Sequence, residues 1–208
     1  MAFSTIGLWT ETRRAGNRQA RDTEASIAVA LKAALAADDS ARALVSTERA
    51  RIYVEIERSN LGYLVGFIRK LTNVDADNPK SIGDDKPRVF YVLKNHGKTP
   101  ALLKEISHAM VFGLLPPTPD YSAHVYGIPA SIGAGQAETM EYFTYPGGLT
   151  VGEAFRINQA YMQVWFYCRV IYEDSFGVEQ RSAFLWEYEP GMEQFYPNHH
   201  NKNYNERT

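Results

Sequence analysis

Apolar and polar positions divide the chain into a helical part and a strand-rich part. From about Thr10 to Arg49, Ala20, Thr23, Ile27, Ala30, Ala34, Ala37, Ala41 and Leu44 recur three and four residues apart, the heptad spacing. Ala, Arg, Glu and Asp dominate this stretch and Pro is absent, so the spacing predicts one long helix. Most of the seam is alanine, which buries little surface per contact. It suits a lone stalk or a helix lying on a domain at least as well as self-association.

After Arg49 the period changes to two. Ile52 to Glu57 alternates apolar and polar, the signature of a half-buried strand. Leu61 to Leu71 is apolar and aromatic, with Gly62 and Gly66 as irregularities, and Thr72 to Lys86 reads as a polar loop. Arg88 to Lys94 is a strand ending in the turn Asn95 to Lys98, and Ala101 to Phe112 is β-like, although Leu102 to Met110 also suits a short helix. Pro116, Pro117, Pro119 and Pro129 make Leu115 to Ala130 a long connection or an edge. Gln136 to Thr144 predicts a strand, and Thr150 with Glu153 is a capping box that starts a short helix from Val151 to about Asn158. Tyr161 to Tyr172 is the strongest strand, with Met162, Val164, Phe166, Cys168, Val170 and Tyr172 on one face and Gln163 and Arg169 on the other. Glu173 to Gly177 turns the chain, and Arg181 to Tyr188 returns as a hairpin partner. The expected fold is therefore mainly β: an antiparallel, immunoglobulin-like β-sandwich of about seven strands preceded by a long α-helix. The domain boundaries fall at 1–49 for the helix, 50–190 for the sandwich and 191–208 for a loose polar tail.

Composition narrows the function classes. With 208 residues, 45% hydrophobic and 22% charged, the chain is globular and needs no staple. A net charge of -2 argues against a protein built to coat nucleic acid. One cysteine, Cys168, excludes an internal disulfide and any multi-cysteine metal site, and suits a reducing compartment. No run of 18 apolar residues is present. The start, Met1 to Trp9, is apolar and is followed by Arg13, Arg14, Arg18 and Arg21, the order found at the cytoplasmic end of a membrane span. The competing reading is a first helical turn docked on the domain.

The segment Val89 to Ala101 ends in Asn95-x-Gly97-x-Thr99-Pro100-Ala101. With Gly7 to Ala15 and Val170 to Gly177, it resembles a set of uncharacterised bacterial membrane-anchored proteins. In these a membrane helix precedes an Arg- and Ala-rich helix and an immunoglobulin-like β-sandwich. The matches run in the same order over most of the chain, but the membrane segment is mostly absent here. The resemblance implies an architecture and an address. It carries no catalytic residues over. The motif itself reads as structural: Gly97 eases the turn, Asn95 bonds its backbone, and Pro100 favours an edge or bulge.

Little in the chain spells out chemistry. His96, His108, His124, His199 and His200 form no local metal-binding spacing. Gly133-Ala134-Gly135 is a fragment of a phosphate loop and suits a turn, no nucleophile elbow is present, and Cys168 sits on the apolar face of a strand. The acid pairs Asp38-Asp39, Asp84-Asp85 and Glu173-Asp174 could bind a cation or act as acid and base, and otherwise read as solvated charge. The expectation is a non-enzymatic interaction module that binds a protein partner, with no cofactor, metal or nucleic acid, and no catalytic residue assigned. It sits on the cytoplasmic side of the inner membrane if anchored and in the cytoplasm otherwise. The alternative is an enzyme or small-ligand-binding domain with a site assembled across loops from residues such as His124, Glu138 or Asp174.

Overall fold

The computed structural model describes the backbone of residues 2–70, 74–121, 125–126, 130–138 and 141–206, and the side chains of 13–68, 74–121, 130–138 and 142–206. It comprises two compact units, 1–47 and 48–208. The first is helix α1, Ala2–Glu48, about 70 Å long at 1.5 Å per residue. Thr23, Ser26 and Ser40 donate their hydroxyls to the carbonyls of Gln19, Asp22 and Ala36, so these polar side chains are satisfied within the helix. Among the described residues of this unit nothing covers the seam; Ile27 and Leu44 are each 63% exposed. Among the described residues no helix is long and apolar enough to cross a membrane.

The second unit contains β1 Ile52–Ser59, α2 Leu61–Gly66 with a 3-10 turn at Phe67–Lys70, β2 Arg88–Asn95, β3 Ala101–Phe112, β4 Val125–Tyr126 and β5 Ala130–Ile132. There follow β6 Glu141–Thr144, α3 Val151–Asn158, β7 Val164–Asp174, β8 Glu179–Glu189 and β9 Gln194–Pro197. They build two antiparallel sheets. One has the order β1-β2-β6; the other has the order β4-β3-β7-β8-β9, with β5 also on β3. The protein is therefore mainly β with a long N-terminal helix. Nine strands are described rather than about seven, because β4, β5 and β9 are too short for a period-two signal.

The inward faces meet in one core. Val164, Phe166, Cys168 and Val170 of β7 are each 0% exposed, and Tyr172 is 1% exposed. Tyr91 from β2 and Phe143 from β6 face Phe166 with ring centroids 6.0 and 5.8 Å away, and Trp186 of β8 lies 5.6 Å from it. The Tyr172 hydroxyl donates to the Ala50 carbonyl, which fastens the chain entering β1 onto β7.

Asn95 is 1% exposed and uses its whole amide. Its Oδ1 accepts the Arg51 and Gly97 backbone N–H groups, and its Nδ2 donates to the Thr99 and Ile132 carbonyls. The Gly97 bond is the turn-holding bond expected of Asn95. Gly97 itself is needed for close approach, since a Cβ there would collide with the Arg49 carbonyl and the Ala50 Cα. At α3 both halves of the Thr150–Glu153 capping box form. A Cβ on Gly152 would strike the Ala76 carbonyl, so the first turn of α3 lies flat on the 76–78 loop.

Two expectations change, and one stretch without an assigned element takes one. Leu61 to Gly66 is a helix, and ahead of it Asn60 ties the end of β1 to β2 by accepting the Arg88 N–H and donating to the Lys86 carbonyl. The strand expected from Gln136 begins at Glu141, preceded by an isolated bridge from Ala137 to Lys94. The segment from 191 is not a loose tail: it carries β9 and the fully buried Tyr204, and Ala183 donates its N–H to the Glu206 carbonyl. Alternation arguments see polar composition there and miss that one aromatic side chain anchors it.

Candidate functional site

The face of the larger sheet that points away from the first sheet is covered in part, and a groove of about 580 Å³ along Leu115, Trp165, Leu185 and Asn203 stays open beside the cover. Trp165, Tyr167, Leu185 and Tyr204 form a second buried cluster, with Leu115 and Tyr121 packed against it. The Tyr204 hydroxyl donates to the Pro116 carbonyl and the Asn203 amide to the Pro117 carbonyl, so residues 115–121 and 198–206 clasp each other over the sheet. Burial pushes the Tyr204 phenol up to about 12 and raises those of Tyr121 and Tyr167. Beside them Arg169 reaches the Glu105 carboxylate at 3.0 Å and stacks over the Tyr121 ring at 4.4 Å. Glu105 is held below the usual carboxylate range, chiefly by the Ser107 hydroxyl and then by Arg169.

The edge between the sheets is open. Both β1 and β9 are terminal strands. Between them runs a cleft of about 350 Å³, lined by Tyr53, Val54 and Ile56 of β1, Phe184 and Trp186 of β8, and Phe195 of β9. A second recess of about 250 Å³ adjoins it along Ile56 to Ser59 and Glu193 to Phe195. Aromatic rings line the floor in a row. Tyr53 is 4.8 Å from His96 edge-on and 6.2 Å from Phe184, and Phe184 stacks on Trp186 at 5.7 Å. Polar groups sit at the rim. Glu55 is paired with Lys94 and lies 3.8 Å from His96 Nε2, and His199 and Asn205 border the other side.

The backbone of β1 is the chemically active part of this edge. Leu93 accepts the Glu138 N–H and Asn95 donates to the Gln136 carbonyl, so these β2 residues turn their backbone groups away from β1. Their neighbour Tyr91 has the same parity and pairs with Glu141 of β6. The β1 residues opposite Leu93 and Tyr91 are Val54 and Ile56. By the antiparallel pattern, these turn their N–H and C=O groups outward to the cleft side. No strand pairs with that side of β1 among the described residues. Further along, a bulge between Ile56 and Arg58 and the charges of Glu57 and Arg58 interrupt the edge.

The residues singled out in the sequence are scattered. His108 is a core residue, 2% exposed, with Nδ1 3.3 Å from the Tyr91 hydroxyl and its ring edge-on to Phe143. Cys168 is fully buried, and burial pushes its thiol up. Asp174 caps the β7–β8 turn by accepting the Phe176 and Val178 N–H groups, and Arg49 pairs with it at 3.3 Å. Glu138 lies beside β2, donating its N–H to Leu93. His124 lies outside the described residues. The structure therefore does not bring Glu138 and Asp174 into the cleft, and of the described histidines only His199 lines it, with His96 at the rim. Gly135 takes φ +69° in the turn that donates to the Asn95 carbonyl, the turn role expected of it. Among the described residues no group of three or more His, Cys, Asp or Glu side chains is placed to hold a metal ion. Sequence reasoning missed the cleft residues Tyr53, Phe184, Trp186 and Phe195. The one signal was aromatic residues at 184 and 186, on one face of the hairpin partner.

No protein-family model matches the chain, and no curated protein matches it either. A solved structure of a protein from Archaeoglobus fulgidus is similar over 71% of this chain and 95% of its own, with 9% identity and a TM-score of 0.34.

Proposed function

We propose that this protein is a non-enzymatic interaction module that captures an extended segment of a protein partner along the free edge of β1. The observation that carries the reading is the outward-turned backbone of Val54 and Ile56 beside an aromatic cleft. An added strand gains affinity from main-chain hydrogen bonds, while its alternate side chains enter apolar pockets that give selectivity. The cleft has the size of ligand sites, so a small-molecule site using Glu55, His199 and Asn205 is the second reading.

The sandwich reads as immunoglobulin-like. In support, β1-β2-β6 and β3-β7-β8 have the order of the A-B-E and C-F-G strands of that fold. A tether to the cytoplasmic face of the bacterial inner membrane is part of the proposal. It is supported by the resemblance, by Arg13, Arg14, Arg18 and Arg21 after an apolar start, and by a cysteine left unpaired.

Selection of displayed random peptides on the full chain tests the binding reading. The expected winners carry large apolar residues at period two and lose about tenfold in affinity on Tyr53→Ala or Phe195→Ala, both checked for folding by circular dichroism. Winners that bind both variants unchanged, or that show helical periodicity, overturn it.

A further inference from the structure

Away from the cleft, α2 and the loop before β2 form a recess of about 250 Å³ lined by Tyr63, Leu64, Phe67, Ile82, Asp84 and Asp85. Its two aromatic walls are turned to solvent: Tyr63 is 74% exposed and Phe67 45%. The two residues are four apart in sequence, which puts them on one face of the helical turn. Leu64 beneath them is 2% exposed and gives the recess an apolar floor.

The opposite wall is held in place. Ile82 donates its N–H to the Leu149 carbonyl, and the Ser81 hydroxyl donates to the Gly83 carbonyl. Gly83 takes φ +150°, and the Asn60 amide fixes the Lys86 carbonyl on the far side. Asp84 and Asp85 sit between these anchors, and neither forms an ion pair or side-chain hydrogen bond among the described residues.

We infer that this recess receives a lysine or arginine side chain of a docked protein partner. Aromatic faces and carboxylates both favour a cation, and the apolar floor suits the aliphatic stem of either side chain. At about 250 Å³ the recess is below the usual size of a metabolite pocket and holds one side chain. Lys80, Lys86 and Arg88 are the basic residues nearest in sequence, and none of them pairs with the two aspartates. This site is separate from the β1 edge and does not rest on that reading.

The test is a titration of the full chain, followed by NMR, with Nα-acetyl-lysine amide and Nα-acetyl-arginine amide. Neutral Nα-acetyl-norleucine amide and sodium chloride serve as comparators. The expected result is weak saturable binding by at least one cation, with a Kd on the order of tens of millimolar. Its shifts are confined to Tyr63, Phe67 and residues 82–85. Tyr63→Ala should weaken it about two- to fivefold, and the double variant Asp84→Asn/Asp85→Asn should remove its salt dependence. Norleucine shifts equal to those of the cations, shifts reproduced by salt alone, or no localised shift with either cation each overturn the proposal. Tyr63, Asp84 and Asp85 are exposed, so the variants should keep the fold, and peptide capture at β1 is unaffected by either result.

Discussion

The two faces of the larger sheet are covered to different extents and by different means. The inward face is covered by another sheet, so every second residue of β7 from Val164 to Tyr172 lies at 0–1% exposure. The outward face is covered around Trp165, Tyr167 and Leu185 by two irregular segments, 115–121 and 198–206, locked together through Tyr204, Asn203, Pro116 and Pro117. Sheet against sheet gives a periodic and continuous contact. A clasp of loops relies on a few large side chains and a handful of hydrogen bonds. The first should fail only with the whole domain, while the second can open locally.

The largest expected effect is therefore on the inward face. Phe166→Ala should cost about 3 to 5 kcal/mol, measured by urea unfolding, because its cavity is enclosed on all sides. Tyr204→Ala should cost less, about 2 to 4 kcal/mol, because the freed segment can peel away and rehydrate. A larger loss at Tyr204 than at Phe166 would break the comparison. Tyr204→Phe removes only the bond to the Pro116 carbonyl and should cost about 1 kcal/mol.

The outward face should also carry the alkaline sensitivity. Below pH 10 the phenol of Tyr204 is neutral in both states, and its contribution is complete. Above that the unfolded chain loses the proton while the folded one keeps it to about 12, so stability falls as pH rises through this window. Tyr121 and Tyr167 act in the same direction. Denaturant midpoints between pH 9 and 12 should drop in the wild type and drop less in Tyr204→Phe. The smallest effect is on the acid side. Glu105 is lowered from 4.5, so its contribution is present above that pH and is lost as pH falls through the lower folded value. Glu105→Gln should flatten the acid limb of the same midpoint curve.

The same contrast explains what could be read in the sequence. The inward face of β7, the α3 capping box and the β7–β8 hairpin are local patterns, and their residues fall where period and turn chemistry put them. The β9 strand returns on β8 through residues 190–193 but is only four residues long, and the Tyr204 anchor is not local: its partners Tyr167, Leu185 and Pro116 are distant in sequence. The candidate site is harder still. Ile52 to Glu57 announces a strand, but nothing in it says that β1 ends its sheet or that β8 and β9 lie across from it. Strand order comes from the assembled core, so Tyr53 and Phe184 become neighbours only in the fold.

Amide hydrogen exchange of the free full-length protein, read residue by residue by NMR, tests the open edge most directly. The outward N–H groups of Val54 and Ile56 should exchange far faster than the alternate β1 amides bonded to β2 and than those of β7. They should gain protection when a selected peptide binds. Protection of Val54 and Ile56 equal to that of β7 in the free protein would contradict it.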